Sequence, residues 1–345
     1  MKLLVTGGAG FIGSAFVRQT LPERPDVRIL NLDKLSYAGN LENLTAVERD
    51  PRYRFERVDI CDERAVGEAF EAFTPDAVVH FAAESHVDRS ILAPAPVIDT
   101  NIRGTFVLLE AARRARLRLF VHVSTDEVYG SLPEPVEADE DFPLRPSSPY
   151  SASKAASDLL ALSYFTTYGL PVVVTRASNN YGPCQFPEKL VPLMICNALD
   201  GRPLPIYGDG RQMRDWLHVD DHCRGIWAVL TAGAPGEVYN IGATDSLTNL
   251  DLVRRLLALA GADEALIQYV TDRPGHDRRY ALSSLKLARQ TGWAPLRRLE
   301  DGLKDTIEWY RNNRSWVERV RSGAYQAYYD ANYGHRTATP RQPAR

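Results

Sequence analysis

The chain has 345 residues, a formal net charge of −3, 25% charged side chains and 44% hydrophobic ones. That balance supports a sizeable core in one large domain or two, and gives no footing for nucleic acid or an anionic membrane as partner. The four cysteines (Cys61, Cys184, Cys196, Cys223) are far apart, offer no metal-ligand spacing and fit a reduced cytoplasmic protein, and no apolar run is long enough to span a bilayer.

Residues 2–6 read as a first strand and not as a signal peptide, because glycines cut the apolar run short. Gly7-Gly8-Ala9-Gly10-Phe11-Ile12-Gly13 follows at once, and residues 11–21 have helical periodicity. Glycines there let the backbone approach a pyrophosphate, which rests on the amides at the start of the new helix. A second strand, 27–32, ends in Asp33, about 20 residues past the loop, where a carboxylate can hold an adenine ribose and repel a 2′-phosphate. Lys34 softens that repulsion, so NAD is expected over NADP. A third strand, 52–58, ends at Asp59-Ile60; a helix follows over 62–73 and a fourth strand over 77–81. The small residues Ala82 and Ala83, with Glu84-Ser85-His86 behind them, close that strand where a cofactor could pass.

A helix over 99–116 leads into the apolar run Leu119-Phe120-Val121-His122-Val123, read as a buried parallel strand. It delivers Ser124-Thr125-Asp126-Glu127 at its carboxyl end, where ligands sit in open α/β sheets. Pro149 is placed to start the helix that carries Tyr150 and Lys154, four apart and so on one face. A tyrosine beside an ammonium can lose its proton more easily and act as a base toward a sugar hydroxyl. His122 reads as a core residue; His86 fits a site or a core role equally.

Beyond a strand over 172–175 and the run Arg176 to Pro183, the pattern loosens. Helical stretches at 190–199 and 251–260 alternate with loops at 201–210 and 273–276. The expected fold is α/β: a doubly wound parallel sheet of Rossmann type in residues 1–180, into which later strands can return, and a smaller mixed α/β substrate domain in 181–333. Residues 334–345 are too polar to pack and read as a loose tail.

Four runs are the most specific: Ser124 to Gly130, Tyr150 to Lys154, Ser178 to Pro183, and Arg214-Asp215-Trp216-Leu217-His218-Val219-Asp220-Asp221. Together with the glycine loop they resemble the extended short-chain dehydrogenase/reductase family, and within it the dTDP-glucose 4,6-dehydratases, over nearly the whole chain to about Gly334. The resemblance implies NAD held by Gly7, Gly10, Phe11, Ile12, Gly13, Asp33, Lys34, Leu35, Ser36, Asp59, Ile60, Ala82, Ala83, Thr100, Tyr150, Lys154 and Asn180. It implies a dTDP-sugar held by Ser85, Thr125, Asn179, Lys189, Leu190, Pro205, Tyr207, Arg214, Asn249, Arg273, His276 and Arg278, where a diphosphate needs such cations. Lysine occurs at only six positions, so Lys154 and Lys189 inside motifs stand out. Arg211 reads as a solvated charge, and Cys184 departs from the aromatic or imidazole expected after Tyr181-Gly182-Pro183.

The implied reaction oxidises C4 of the glucose, eliminates water across C5 and C6, and returns the hydride to C6, as in rhamnose or another deoxysugar pathway. Tyr150 with Lys154 takes the 4-hydroxyl proton, Thr125 hydrogen-bonds the same oxygen, Glu127 removes the C5 proton and Asp126 protonates the leaving hydroxyl. A UDP-sugar 4-epimerase or decarboxylase shares the fold, NAD and the Tyr150/Lys154 pair but usually lacks the Asp-Glu pair, and a non-catalytic NAD-binding regulator needs neither pair. The family further implies a homodimer through a four-helix bundle of the 99–116 and 150–168 helices.

Overall fold

The computed structural model describes residues 1–243 and 246–322; the expected tail at 334–345 lies outside them. Seven strands form one parallel sheet: β1 (Lys2–Thr6), β2 (Arg28–Leu32), β3 (Tyr53–Glu56), β4 (Ala77–His80), β5 (Leu119–Thr125), β6 (Val172–Ala177) and, from much later in the chain, a strand at Val238–Ile241. From one edge to the other the order is Val238–Ile241, β6, β5, β4, β1, β2, β3. The apolar runs become strands because both sheet faces are covered: Leu3, Leu4, Val5, Val78, Val79, Phe120 and Val121 have no exposed surface. Each such side chain contributes roughly 1.5–3 kcal/mol on burial.

The strand order reverses between β1 and β4, and a crevice opens at their carboxyl ends, as it does in other open α/β sheets. Gly7 sits there at φ +71°, and a Cβ on it would lie 2.6 Å from the Ala82 amide nitrogen. A Cβ on Gly13 would strike the Gly7 carbonyl oxygen, so the glycine loop and the helix Phe11–Glu23 pack backbone to backbone. The helix read over 99–116 divides into a π-helical turn, Asp99–Gly104, and an α-helix, Thr105–Arg114. The turn brings Thr100 beside Lys34, whose ammonium donates to its hydroxyl at 3.1 Å.

The later half adds two small sheets. One joins Asn179–Tyr181 in parallel to Met213–His218, which pairs antiparallel with Ser246–Thr248; the other pairs Leu204–Tyr207 with Ile267–Val270. Residues 201–210, expected as loop, thus hold a strand, with Leu204 and Ile206 buried against the helices Leu190–Leu199 and Asn249–Ala260. Pro203 and Pro205 hid it, since proline donates no ladder hydrogen bond and reads as an edge or a loop.

Candidate active site

One cleft runs along the carboxyl ends of β1, β2, β4, β5 and β6. Gly7, Gly10, Phe11, Ile12, Gly13, Asp33, Lys34, Ser36, Ile60, Ala82, Ala83, Thr100, Tyr150, Lys154 and Asn180 line it. Thr125, Asp126, Glu127, Ser85, Asn179 and Lys189 line the same cleft. Leu35 and Asp59 stand just behind its wall. The Leu35 amide donates to Asp33 Oδ1 at 2.8 Å, and Asp59 lies 3.8 Å from the Lys34 ammonium.

The dinucleotide end suits NAD. The first turn of Phe11–Glu23 has no capping side chain at Gly10, so its amides are free to meet a phosphate. Asp33 is buried, which pushes its carboxyl above the ordinary range, while the amides of Ala9 (3.0 Å) and Leu35 oppose that shift. Lys34 lies 3.8 Å from Asp59 and from Glu84. Its charge is therefore engaged locally, and the wall that meets the ribose stays acidic.

At the other end, the 3₁₀ turn Asp126–Tyr129 starts directly from β5, with Thr125 Oγ1 accepting from the Glu127 amide at 3.3 Å and donating to Asp126 Oδ1 at 3.3 Å. The turn separates the two carboxyls chemically. Asp126 is buried, its Oδ2 has no hydrogen-bond partner, and burial together with the charge of Glu127 pushes its carboxyl well up. Burial raises Glu127 too, but Arg273, Lys189 and Arg214 oppose it. Asp126 is thus the better proton donor and Glu127 the better base, two neighbours driven apart by their surroundings.

Ser148 caps the Pro149–Tyr168 helix in a capping box with Ser151, which sets Tyr150 at the first turn. Its hydroxyl bonds to Thr125, yet burial and the charges of Glu127 and Asp126 hold the phenol well above its usual range. The sequence reading expected the opposite direction; the nearby carboxylates and loss of water account for the difference. Lys154 is buried, donates to the Val123 carbonyl at 2.8 Å and is lowered by burial to about 8.

Apart from Lys189, the remaining residues read from the sequence are not among those that line this cleft; Arg214 and Arg273 reach it through their charges on Glu127. Lys189 donates to the Ser85 carbonyl at 2.6 Å. Tyr207 donates to Asp88 at 2.7 Å, Arg273 stands 3.7 Å from the same carboxylate, and His276 lies 2.6 Å from Asp272. Arg214 lies over the Tyr280 ring and donates to the Asp277 carbonyl. Leu190 and Asn249 begin helices, Pro205 is buried in its short strand, and Arg278 is exposed and paired with Asp209 at 2.8 Å. Cys184 is buried at φ +66° in the core of the later half, and His86 caps the short helix Val87–Leu92.

Sequence reasoning passed over His222, Glu188, Gln185 and Phe186, which also line the cleft. His222 Nδ1 meets Asn180 Oδ1 at 2.9 Å, and its position directly after the Arg214–Asp221 run was the available signal. Phe186 and Glu188 flank Pro187 in a stretch without periodicity, which gave none.

A family model described as GDP-mannose 4,6 dehydratase matches residues 4–306. The dTDP-glucose 4,6-dehydratase of Salmonella typhimurium is 52% identical, over 96% of this chain and 99% of that protein. This chain belongs to the dTDP-glucose 4,6-dehydratase family. A crystal structure of the dTDP-glucose 4,6-dehydratase from Streptomyces venezuelae, with NAD bound, superposes with a TM-score of 0.90 at 52% identity, covering 93% of this chain and 100% of that one. The UDP-glucose 4-epimerase of Thermus thermophilus, also solved with NAD, gives 0.85 at 34% identity over 91% of this chain and 100% of its own. Dehydratase and epimerase therefore share the fold, and the dehydratase family stands nearer in sequence. No helix among the described residues is long and apolar enough to cross a membrane.

Proposed function

We propose that this chain converts dTDP-glucose to dTDP-4-keto-6-deoxyglucose. The observation that carries the reading is the pair at the end of β5: a buried, proton-retaining Asp126 next to a Glu127 moderated by three cations. An epimerase has no use for two carboxyls with opposite proton tasks, whereas elimination of water needs both.

The C5 proton of a hexose is barely acidic until C4 is a ketone. Thr125 and Tyr150 converge on the place for the 4-hydroxyl, and Tyr150 takes its proton. NAD, bound along the glycine loop and Asp33, supplies the two-electron acceptor, and in its oxidised form a positive charge that opposes the carboxylates holding the Tyr150 proton. Lys154 adds a second positive charge from the helix side. Glu127 removes the C5 proton, and Asp126 gives its proton to the leaving 6-hydroxyl. Lys189, Arg214 and Arg273, gathered around Glu127, serve the diphosphate and the sugar. Residues 1–180, joined by the returning strand Val238–Ile241, are the cofactor half, and 181–333 are otherwise the sugar-nucleotide half.

The protein acts as a homodimer in the cytoplasm. Leu159, 59% exposed, on the helix Pro149–Tyr168 and Phe106 on the helix Thr105–Arg114 are apolar side chains open to solvent, of the kind a four-helix bundle with a second copy would cover. All four cysteines are unpaired, which suits a reducing compartment. Sedimentation giving a single monomeric species at micromolar concentration would remove the dimer. The function is tested by incubation with dTDP-, UDP-, GDP- and CDP-glucose in parallel: a 4-keto-6-deoxy sugar, seen as its enolate absorbance in strong alkali, is expected from the dTDP sugar, and an epimerised sugar without that absorbance would refute the assignment.

A further inference from the structure

The helix that carries Tyr150 and Lys154 continues one more step along the same face. Asp158 is four residues beyond Lys154, as Lys154 is beyond Tyr150, and it is fully buried. Its Oδ2 accepts from Arg176 Nε of β6 at 2.9 Å, and its Oδ1 lies 3.4 Å from His122 Nε2 of β5. Ser157 Oγ already donates to the Lys154 carbonyl at 2.9 Å, so in its 3.1 Å contact with His122 the imidazole Nε2 is the donor. The Nε2–H tautomer of His122 therefore serves Ser157, with Asp158 Oδ1 alongside at 3.4 Å, and the Lys154 ammonium, 3.5 Å from the same nitrogen, cannot use it as an acceptor.

Lys154 is left with one carbonyl, Val123, and one buried negative charge, Asp158. Arg176 in turn donates to the Tyr129 hydroxyl at 2.9 Å, and Tyr129 donates to Asn240 at 2.8 Å, so the network is anchored across β6 to the strand at Val238–Ile241. Burying two cations and a carboxylate gives little stability compared with an apolar filling of the same volume. A cluster of this kind directly behind a reacting side chain is better explained by what it does to that side chain.

We propose that Asp158 is a positioning residue of the reaction: its buried carboxylate, held by His122 and Arg176, is the counter-charge that fixes the Lys154 ammonium against the cofactor cleft. The Lys154 ammonium lies 3.5 Å from the neutral ring of His122 on β5 and within electrostatic reach of the neutral ring of His80 on β4; Tyr150 is one turn away on the same helix, the charges of Asp126 and Glu127 bear on Tyr150, and Glu140 reaches the network only beside Tyr129 and Asn240. Asp158 is the group that raises the affinity of Lys154 for its proton against burial. Arg176, paired with that carboxylate at 2.9 Å, offsets part of its charge.

The inference rests on the proposed role of Lys154, and one experiment separates the two. Purified holoenzyme is mixed with dTDP-glucose, and the first-turnover rate of nicotinamide reduction is followed across pH, with bound NAD and melting temperature measured for every variant. In Asp158→Asn the alkaline limb is expected to move down by about one pH unit, a tenfold loss above it, because one unit of pKa is one decade in charge state. In Arg176→Gln it is expected to move up, and this variant decides the matter if Asp158→Asn does not fold. A loss that is uniform across pH, or limbs that stay put in variants that still oxidise substrate, would overturn the counter-charge and leave the dehydratase reading standing. If Lys154→Met keeps the wild-type limb, or if wild-type protein reduces no nicotinamide with dTDP-glucose, the underlying reading fails and the inference with it.

Discussion

The cofactor side and the substrate side of the cleft hold their polar groups by different means. On the cofactor side the partners are mostly main chain: Asp33 is held by the amides of Ala9 and Leu35, Gly8 is tied to the Asn31 side chain, and Lys154 rests on the Val123 carbonyl. On the substrate side Lys189 and Arg214 also rest on carbonyls, of Ser85 and Asp277, but the outer groups lean on other side chains: Arg273 on Asp88, His276 on Asp272, Arg278 on Asp209. Main-chain partners are fixed by the sheet and cost no reorganisation when a ligand arrives. Side-chain pairs can be exchanged for a diphosphate, because a charged hydrogen bond lost to one carboxylate is regained from another anion. The contrast suits a cofactor that stays and a sugar nucleotide that comes and goes.

Breaking the reacting groups where the two sides meet should be the most damaging. Tyr150→Phe removes the proposed base for the 4-hydroxyl, and a loss of about 10⁴-fold in product formation is expected, with no reduction of bound NAD on adding substrate. Glu127→Gln should cost about 10³-fold in product while bound NAD is still reduced, since C4 oxidation does not need that carboxylate. Asp126→Asn should cost about 10²-fold, again with NAD reduced. Dehydration by Glu127→Gln at near the wild-type rate would show that the acid and base are misassigned.

The exchangeable side should respond through substrate affinity. Arg273→Ala is expected to raise KM for dTDP-glucose by about tenfold or more with a smaller change in kcat, because a charged hydrogen bond contributes about 1.5–3 kcal/mol. Retention of NAD through gel filtration should be unchanged in that variant, and loss of cofactor would contradict a division of labour between the two sides. The mildest perturbation is pH itself. Activity should fall on the alkaline side near the pH of about 8 at which Lys154 gives up its proton, and on the acid side as Glu127, raised above the usual carboxylate range, gains one. A flat profile from pH 5 to 9 would be inconsistent with either group being used.

The same contrast explains what could be read from the chain before its structure. β1, β4 and β5 are continuous apolar runs ending in small or polar residues, so strand, loop and ligand-facing end were all legible around Gly7, Ala82 and Thr125. A parallel sheet buried on both faces writes itself into sequence in that way. The strands of the later half are three to six residues long and pair in mixed directions, and Leu204–Tyr207 carries Pro205 and directly follows Pro203, so it was read as loop. His222 and Glu188 were missed for a related reason: each reaches the cleft from an element whose placement depends on long-range packing. The direction of the Tyr150 shift was also beyond local reading, because it depends on burial of the phenol and on the charges of Glu127 and Asp126 brought near it by the fold.

The central claim is that one bound cofactor carries a hydrogen from C4 to C6 of a single sugar while Glu127 and Asp126 remove water between them. dTDP-glucose deuterated at C4, mixed with unlabelled substrate, tests it most directly. The account requires the deuterium at C6 of the same molecules that carried it, without loss to solvent and without crossing, and solvent hydrogen at C5. Deuterium retained at C4, or label scrambled between molecules, would contradict it.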